Sequence, residues 1–125
     1  MGKNGFKDLV VWQRAKDLAV QLYRLSEEET RNRNFGLWDQ IRRSAVSVAS
    51  NLAEGDERGT DKEAARFFYI AKGSLAELRT QLHIAFESGH LKKTSYEDME
   101  TECETLGKMI GSLIKTRQVS IAKRP

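Results

Sequence analysis

The chain has 125 residues, 39% of them hydrophobic and 31% charged, with a net charge of +3 and a pI of about 9.1. That length makes one domain able to bury a core without staples, and the composition excludes an intrinsically disordered chain. The mild basic excess permits nucleic-acid binding without demanding it, and the sole cysteine, Cys103, excludes an intramolecular disulfide and a cysteine-based zinc site.

The sole proline is the last residue, Pro125, so no strong helix breaker interrupts the chain, which favours an all-α class. Met1 to Phe6 contains no apolar stretch of the secretory kind. Apolar runs such as Leu9 to Trp12 are far too short to span a bilayer. A cytoplasmic protein with no membrane partner is expected.

A first helix is expected from Asp8 to Glu27. Its seam, Val11, Ala15, Leu18, Leu22 and Leu25, alternates steps of four and three, the pattern of a helix packed nearly parallel to its neighbours. Trp12, Ala19 and Tyr23 widen the stripe. The run Glu27-Glu28-Glu29 opposes the helix dipole, so fraying into a polar loop, Thr30 to Asn34, is expected.

A second helix, Phe35 to Glu54, carries Ile41, Ala45, Val48 and Leu52 at the same spacing. Gly55 then reads as a left-handed stop, followed by a loop to Gly59. The third helix opens with a capping box, Thr60 and Glu63. It continues through Ala64, Phe67 or Phe68, Ala71, Leu75, Leu78, Leu82 and Ala85, and stops at Ser88-Gly89. The fourth begins near Thr94, with Glu97 completing a second box, and runs through Met99, Cys103, Leu106, Ile110 and Leu113. Residues 1–117 are expected to form an antiparallel up-down-up-down four-helix bundle. Residues 118–125 lack periodicity and are expected to form a basic, disordered tail.

Beside the core seam of the second helix runs a polar stripe, Gln40, Ser44, Ser47, Asn51 and Glu54. Such side chains either hydrogen-bond across a helix interface or form a solvated flank. Gly73, Gly107 and Gly111 lie inside helices, where each costs roughly 1 kcal/mol relative to alanine. Close approach of another helix, within the chain or from another subunit, would explain them.

Catalytic and metal chemistry finds little support. Glu87 and His90 have the Glu-x-x-His spacing of di-iron bundles, but that site needs two such pairs and two further glutamates. His83 reads as a rim residue. No nucleophile–base pair and no phosphate-cradling glycine loop is present. The chain is expected to be no enzyme, with no metal, no cofactor and no small-molecule substrate.

Basic residues cluster at Arg31, Arg33, Arg42 and Arg43, at Lys92 and Lys93, and at Lys115, Arg117, Lys123 and Arg124. Each cluster is either a nucleic-acid surface or ordinary surface charge. Arg42 and Arg43 point about 100° apart on a helix, so at least one of them faces away from the core.

Several blocks give the chain a recognisable relative. These are Phe6-Lys7-Asp8-Leu9 with Val11-Trp12-Gln13, Gly36-Leu37, and Gln40-Ile41-Arg42-Arg43-Ser44-Ala45-Val46-Ser47. Ser50-Asn51-Leu52-Ala53-Glu54-Gly55, Arg58, Ile70 to Leu78 and Gln81-Leu82 continue the match. Over Phe6 to Leu91 the sequence resembles the four-helix-bundle proteins encoded within intervening sequences of bacterial 23S ribosomal RNA genes. Family members usually carry a proline and a glutamate before the Gly-Leu of the second helix, where this chain has Thr30 to Phe35. The resemblance implies a ring-like homo-oligomer, a pentamer. The chain is also similar to accessory proteins of diversity-generating retroelements, basic pentameric barrels that bind nucleic acid and a reverse transcriptase. The polar stripe and Gly73 fall inside the matching blocks, which suits an interface. The expected function is thus a non-enzymatic, oligomeric, RNA- or DNA-associated protein. The alternatives are an assembly module without nucleic-acid affinity and a bundle that binds a small ligand or metal.

Overall fold

The computed structural model describes residues 4–29 and 35–123. Among them are a 3₁₀ turn, Gly5–Asp8, and four α-helices: α1 (Val10–Glu29), α2 (Phe35–Asp56), α3 (Asp61–Glu87) and α4 (Lys93–Ala122). No strand occurs among the described residues. The expected seams are the buried faces. Val11, Ala15, Leu18 and Leu22 of α1 meet Ile41, Ala45, Val48 and Leu52 of α2, Phe68, Leu75, Leu78 and Leu82 of α3, and Cys103, Leu106 and Ile110 of α4 in one core. The α2–α3 contact is the most extensive, and the α1–α4 contact is the slightest between helices adjacent in the bundle.

The chain enters through the 3₁₀ turn. Phe6 stands edge-on to Trp12, with ring centroids 5.0 Å apart, and the Gln13 side-chain amide donates to the Lys7 carbonyl at 2.7 Å. This turn holds Asp8 outside α1, which begins at Val10 rather than at the expected Asp8.

Gly55 is not a left-handed stop. Its φ is not positive, it is buried, and α2 runs past it to Asp56. The reason lies across the interface: a Cβ at Gly55 would sit 2.6 Å from Cε1 of Phe68 and 3.1 Å from the Ala64 carbonyl oxygen. The glycine admits the Phe68 ring against the α2 backbone.

The start of α3 forms as expected: Thr60 is extended and its hydroxyl accepts from the Glu63 amide at 3.2 Å. Its end is a Schellman turn around Gly89, whose φ is +82°. The His90 amide donates to the Ala85 carbonyl and the Gly89 amide to that of Phe86.

The second capping box does not form. Helix α4 begins at Lys93, with Lys92 as its uncapped first flank, so Thr94 lies within the first turn. Stacking of Tyr96 on Phe86, with centroids 4.7 Å apart, anchors this turn in place of a side-chain cap. The expected disordered tail also differs, because α4 continues to Ala122. Beyond the last hydrophobic repeat it is held by polar bonds: Arg117 and Ser120 donate to the two Asp61 carboxylate oxygens at 2.7 and 2.8 Å, and Gln118 donates to the Tyr69 hydroxyl at 2.8 Å. Arg124 and Pro125 lie outside the described residues.

Candidate nucleic-acid interface

The arginines and lysines singled out by charge divide into two sets. Arg42 is spent inside the fold. Its guanidinium donates to the Ser26 hydroxyl at 2.9 Å and to Asp39 at 3.0 Å, and lies over the Tyr23 ring. Ser26 is fully buried, so Arg42 serves as its polar partner between α1 and α2. Arg117 is likewise committed, ion-paired to the largely buried Asp61 and lying over Phe68. Arg43 is exposed, as the helical angle between the two neighbours requires. Lys92, Lys93, Lys115 and Lys123 are exposed too, and Lys93 has only a loose partner, Glu97, at 3.9 Å. Arg31, Arg33 and Arg124 lie outside the described residues.

These outward cations do not converge. Lys93 opens α4 and Lys115 lies 22 residues further on, a rise of about 33 Å. A second basic group, which charge runs alone did not pick out, lies at the start of α3 beside the end of α4. Lys62 and Arg66 are exposed on the first two turns of α3. With Tyr69 they line a cleft of about 390 Å³ whose far wall is Gln118 and Ile121 of α4. The signal that would have found them is their spacing of four and three residues, which sets all three on one helix face.

The polar stripe of α2 serves contacts within the chain. Ser44 is buried. The Ser47 hydroxyl shares a hydrogen bond with Ser74 of α3 at 2.8 Å, and the Asn51 amide donates to the Ser47 carbonyl at 2.8 Å and its hydroxyl at 3.1 Å. Gln40 and Glu54, at its two ends, are exposed, and Glu54 pairs with Arg58 at 2.9 Å. The glycines behave differently from one another. A Cβ at Gly107 would make ordinary contact with Leu75, at 3.7 Å, and one at Gly73 or Gly111 would meet nothing within 4 Å. Close approach within the chain therefore occurs at Gly55 instead.

Catalytic groups are dispersed. Glu87 pairs with His83, while His90 hydrogen-bonds Ser88 at 3.0 Å, so the Glu-x-x-His pair is divided. No group of three metal-ligating side chains occurs among the described residues. The Cys103 thiol is wholly buried. Burial, then the neighbouring Glu100 carboxylate, pushes its pKa up to about 12, and a protonated thiol is a poor nucleophile.

The most apolar concavity is a groove of about 630 Å³ between α1 and α2, lined by Trp12, Ala19, Val20, Tyr23, Val46 and Ala49 among others, with Lys16 and Arg24 also bordering it. Val20, Tyr23 and Val46 are all more than a third exposed, unusual for three neighbouring apolar side chains. No helix among the described residues is long and apolar enough to cross a membrane.

Comparison with known proteins agrees with this architecture. Residues 7–112 match the family model described as 23S rRNA-intervening sequence protein. A crystal structure of a protein of unknown function from the S23 ribosomal protein family of Bacteroides thetaiotaomicron has the same fold, with a TM-score of 0.80 at 21% identity. The match covers 84% of this chain and 98% of that one. No curated protein matches the chain.

Proposed function

We propose a function from the family outward: the chain belongs to the 23S rRNA-intervening sequence proteins, and its role is that of a non-enzymatic, homo-oligomeric RNA-binding protein of the bacterial cytoplasm. The observation that carries this reading is the fate of the cations. Arg43, Lys62, Arg66, Lys72, Lys115 and Lys123 are exposed, and none is ion-paired to a carboxylate among the described residues. Cations held ready on rigid helices suit a polyanion better than a small substrate.

The bundle is antiparallel in this reading. Asp61 at the start of α3 meets Arg117 near the end of α4, and Arg79 further along α3 meets Glu100 earlier in α4, so the two helices run in opposite directions. The subunits form a ring, a pentamer by the resemblance. The apolar α1–α2 groove supplies surface for assembly, while the exposed Gln40, Glu54 and Gly73 and the unobstructed Gly111 remain open to a neighbouring copy. A ring repeats a weak basic surface and raises avidity without new contacts.

The test is a gel-shift titration with single-stranded RNA, duplex RNA and DNA at two salt concentrations, beside light scattering for subunit number. Log affinity is expected to fall linearly with log salt, by about 0.7 per neutralised phosphate on single strands and 0.9 on duplex. A monomer at micromolar concentration would remove the ring, and absence of binding at physiological salt would remove the RNA. In the second case the α1–α2 groove favours the other reading, a protein-assembly module.

A further inference from the structure

We infer that the cleft between the start of α3 and the end of α4 is a binding site for single-stranded RNA, in which Lys62 and Arg66 take phosphates and Tyr69 stacks a base. This rests on the RNA-binding reading above and assigns that activity a place. Lys62, Arg66 and Tyr69 succeed one another on one face of α3 over a rise of about 10 Å, a length suited to a few nucleotides. All three are exposed. The Tyr69 ring is 48% exposed, yet its hydroxyl accepts from the Gln118 amide at 2.8 Å, so the ring is held in place with a free face.

The electrostatics of the cleft favour an anion. Asp61, the acid closest in sequence to Lys62 on its N-terminal side, is neutralised by Arg117 and further satisfied by Ser120. Glu63 is the one carboxylate lining the cleft, against Lys62 and Arg66. An ammonium offers a point charge and a guanidinium a planar fork, the two usual partners of phosphate oxygens. An aromatic ring beside them discriminates by strandedness, since only an unpaired base exposes a face for it. A duplex would engage the lysine and arginine and leave Tyr69 idle.

The probe is oligouridylate, which lacks stable secondary structure, titrated against the full chain over a range of salt, with an RNA duplex in parallel. Replacing both cations (Lys62→Ala, Arg66→Ala) is expected to make the salt slope for oligouridylate shallower by about 1.4, two contacts at 0.7 each. Tyr69→Leu is expected to weaken binding about 5- to 150-fold with the slope unchanged, whereas Tyr69→Phe keeps the ring and stays within about twofold. On duplex RNA, Tyr69→Leu is expected to have no effect. Lys92→Ala with Lys93→Ala, at the far end of α4, serves as the control and is expected to keep the wild-type slope. Thermal melting of each variant confirms that these surface changes leave the fold intact. If the wild type binds oligouridylate and the α3 variants bind it equally well with the same slope, this site is wrong while the RNA-binding reading stands. If the wild type binds no RNA, that reading falls and takes the site with it.

Discussion

Replacing Gly55 by alanine tests the packing of α2 on α3 most directly, because two effects of similar size oppose each other there. In the last turn of α2 the change gains up to roughly 1 kcal/mol of propensity, and Gly55 has no positive φ to oppose it. The added methyl, however, would stand 2.6 Å from Cε1 and 2.8 Å from Cδ1 of Phe68. Phe68 is fully buried, so its ring moves only by disturbing the core around it, and the Ala64 carbonyl oxygen blocks a second direction at 3.1 Å. Overpacking of this kind costs about 1–3 kcal/mol, so the net effect is a loss of up to about 3 kcal/mol. Gly73→Ala is the matched control. It lies inside α3, is exposed, and its methyl would meet nothing within 4 Å, so it is expected to stabilise by up to about 1 kcal/mol. Urea unfolding followed by far-ultraviolet circular dichroism, at one protein concentration for all variants, measures both. If Gly55→Ala stabilises as much as Gly73→Ala, the close approach of Phe68 to α2 is wrong.

Three further outcomes are expected. Thr60→Ala loses about 1 kcal/mol with its cap, while Thr94→Ala, inside the first turn of α4 and capping nothing, loses none; urea midpoints compare the two. Arg117→Ala removes an ion-pair partner of Asp61, whose side chain is only 13% exposed, and costs about 2 kcal/mol; loss of helical signal from the end of α4 would accompany it. Cys103 makes stability fall at alkaline pH. Its thiol titrates near 9.0 when unfolded and at about 12 when folded, so above pH 9 the unfolded chain releases a proton that the folded chain keeps. The loss is roughly 1.4 kcal/mol per pH unit in that window, read as the difference in urea stability between wild type and Cys103→Ala, and equal pH profiles for the two would refute it.

The buried faces were legible in the sequence because helix packing imposes a period that apolar residues must follow, and the seams through Leu22, Leu52, Leu82 and Ile110 follow it. The boundaries were less legible, since each was decided by a partner distant in sequence. Gly55 looks like a stop locally and is kept helical by Phe68. Thr94 looks like a cap and is drawn into the helix by the packing of Tyr96. Residues 118–122 lack a hydrophobic repeat and are helical because Tyr69 and Asp61, some 50 to 60 positions earlier, take their side chains. Local rules treat each residue by its neighbours along the chain, and here long-range polar bonds and aromatic packing override them.

The candidate site follows the same logic through charge. Arg42 and Arg43 are adjacent and chemically identical, yet one reaches the buried Ser26 while the other turns to solvent, because a single helical step rotates the side chain by about 100°. Counting cations along the chain weights the two equally, whereas a polyanion meets only those without a partner. Discounting Arg42 and Arg117 as structural and admitting Lys62 and Arg66 moves the emphasis from the centre of α2 to the end of the bundle where α3 begins and α4 finishes. The same Asp61 that fastens the end of α4 absorbs Arg117, so the pair adds no net charge there and the neighbouring lysines and arginine set the sign of the surface. The proposed ring would compound the effect: each copy would bring that end to the same level, and a surface too weakly charged to hold RNA alone would act as one of several linked sites.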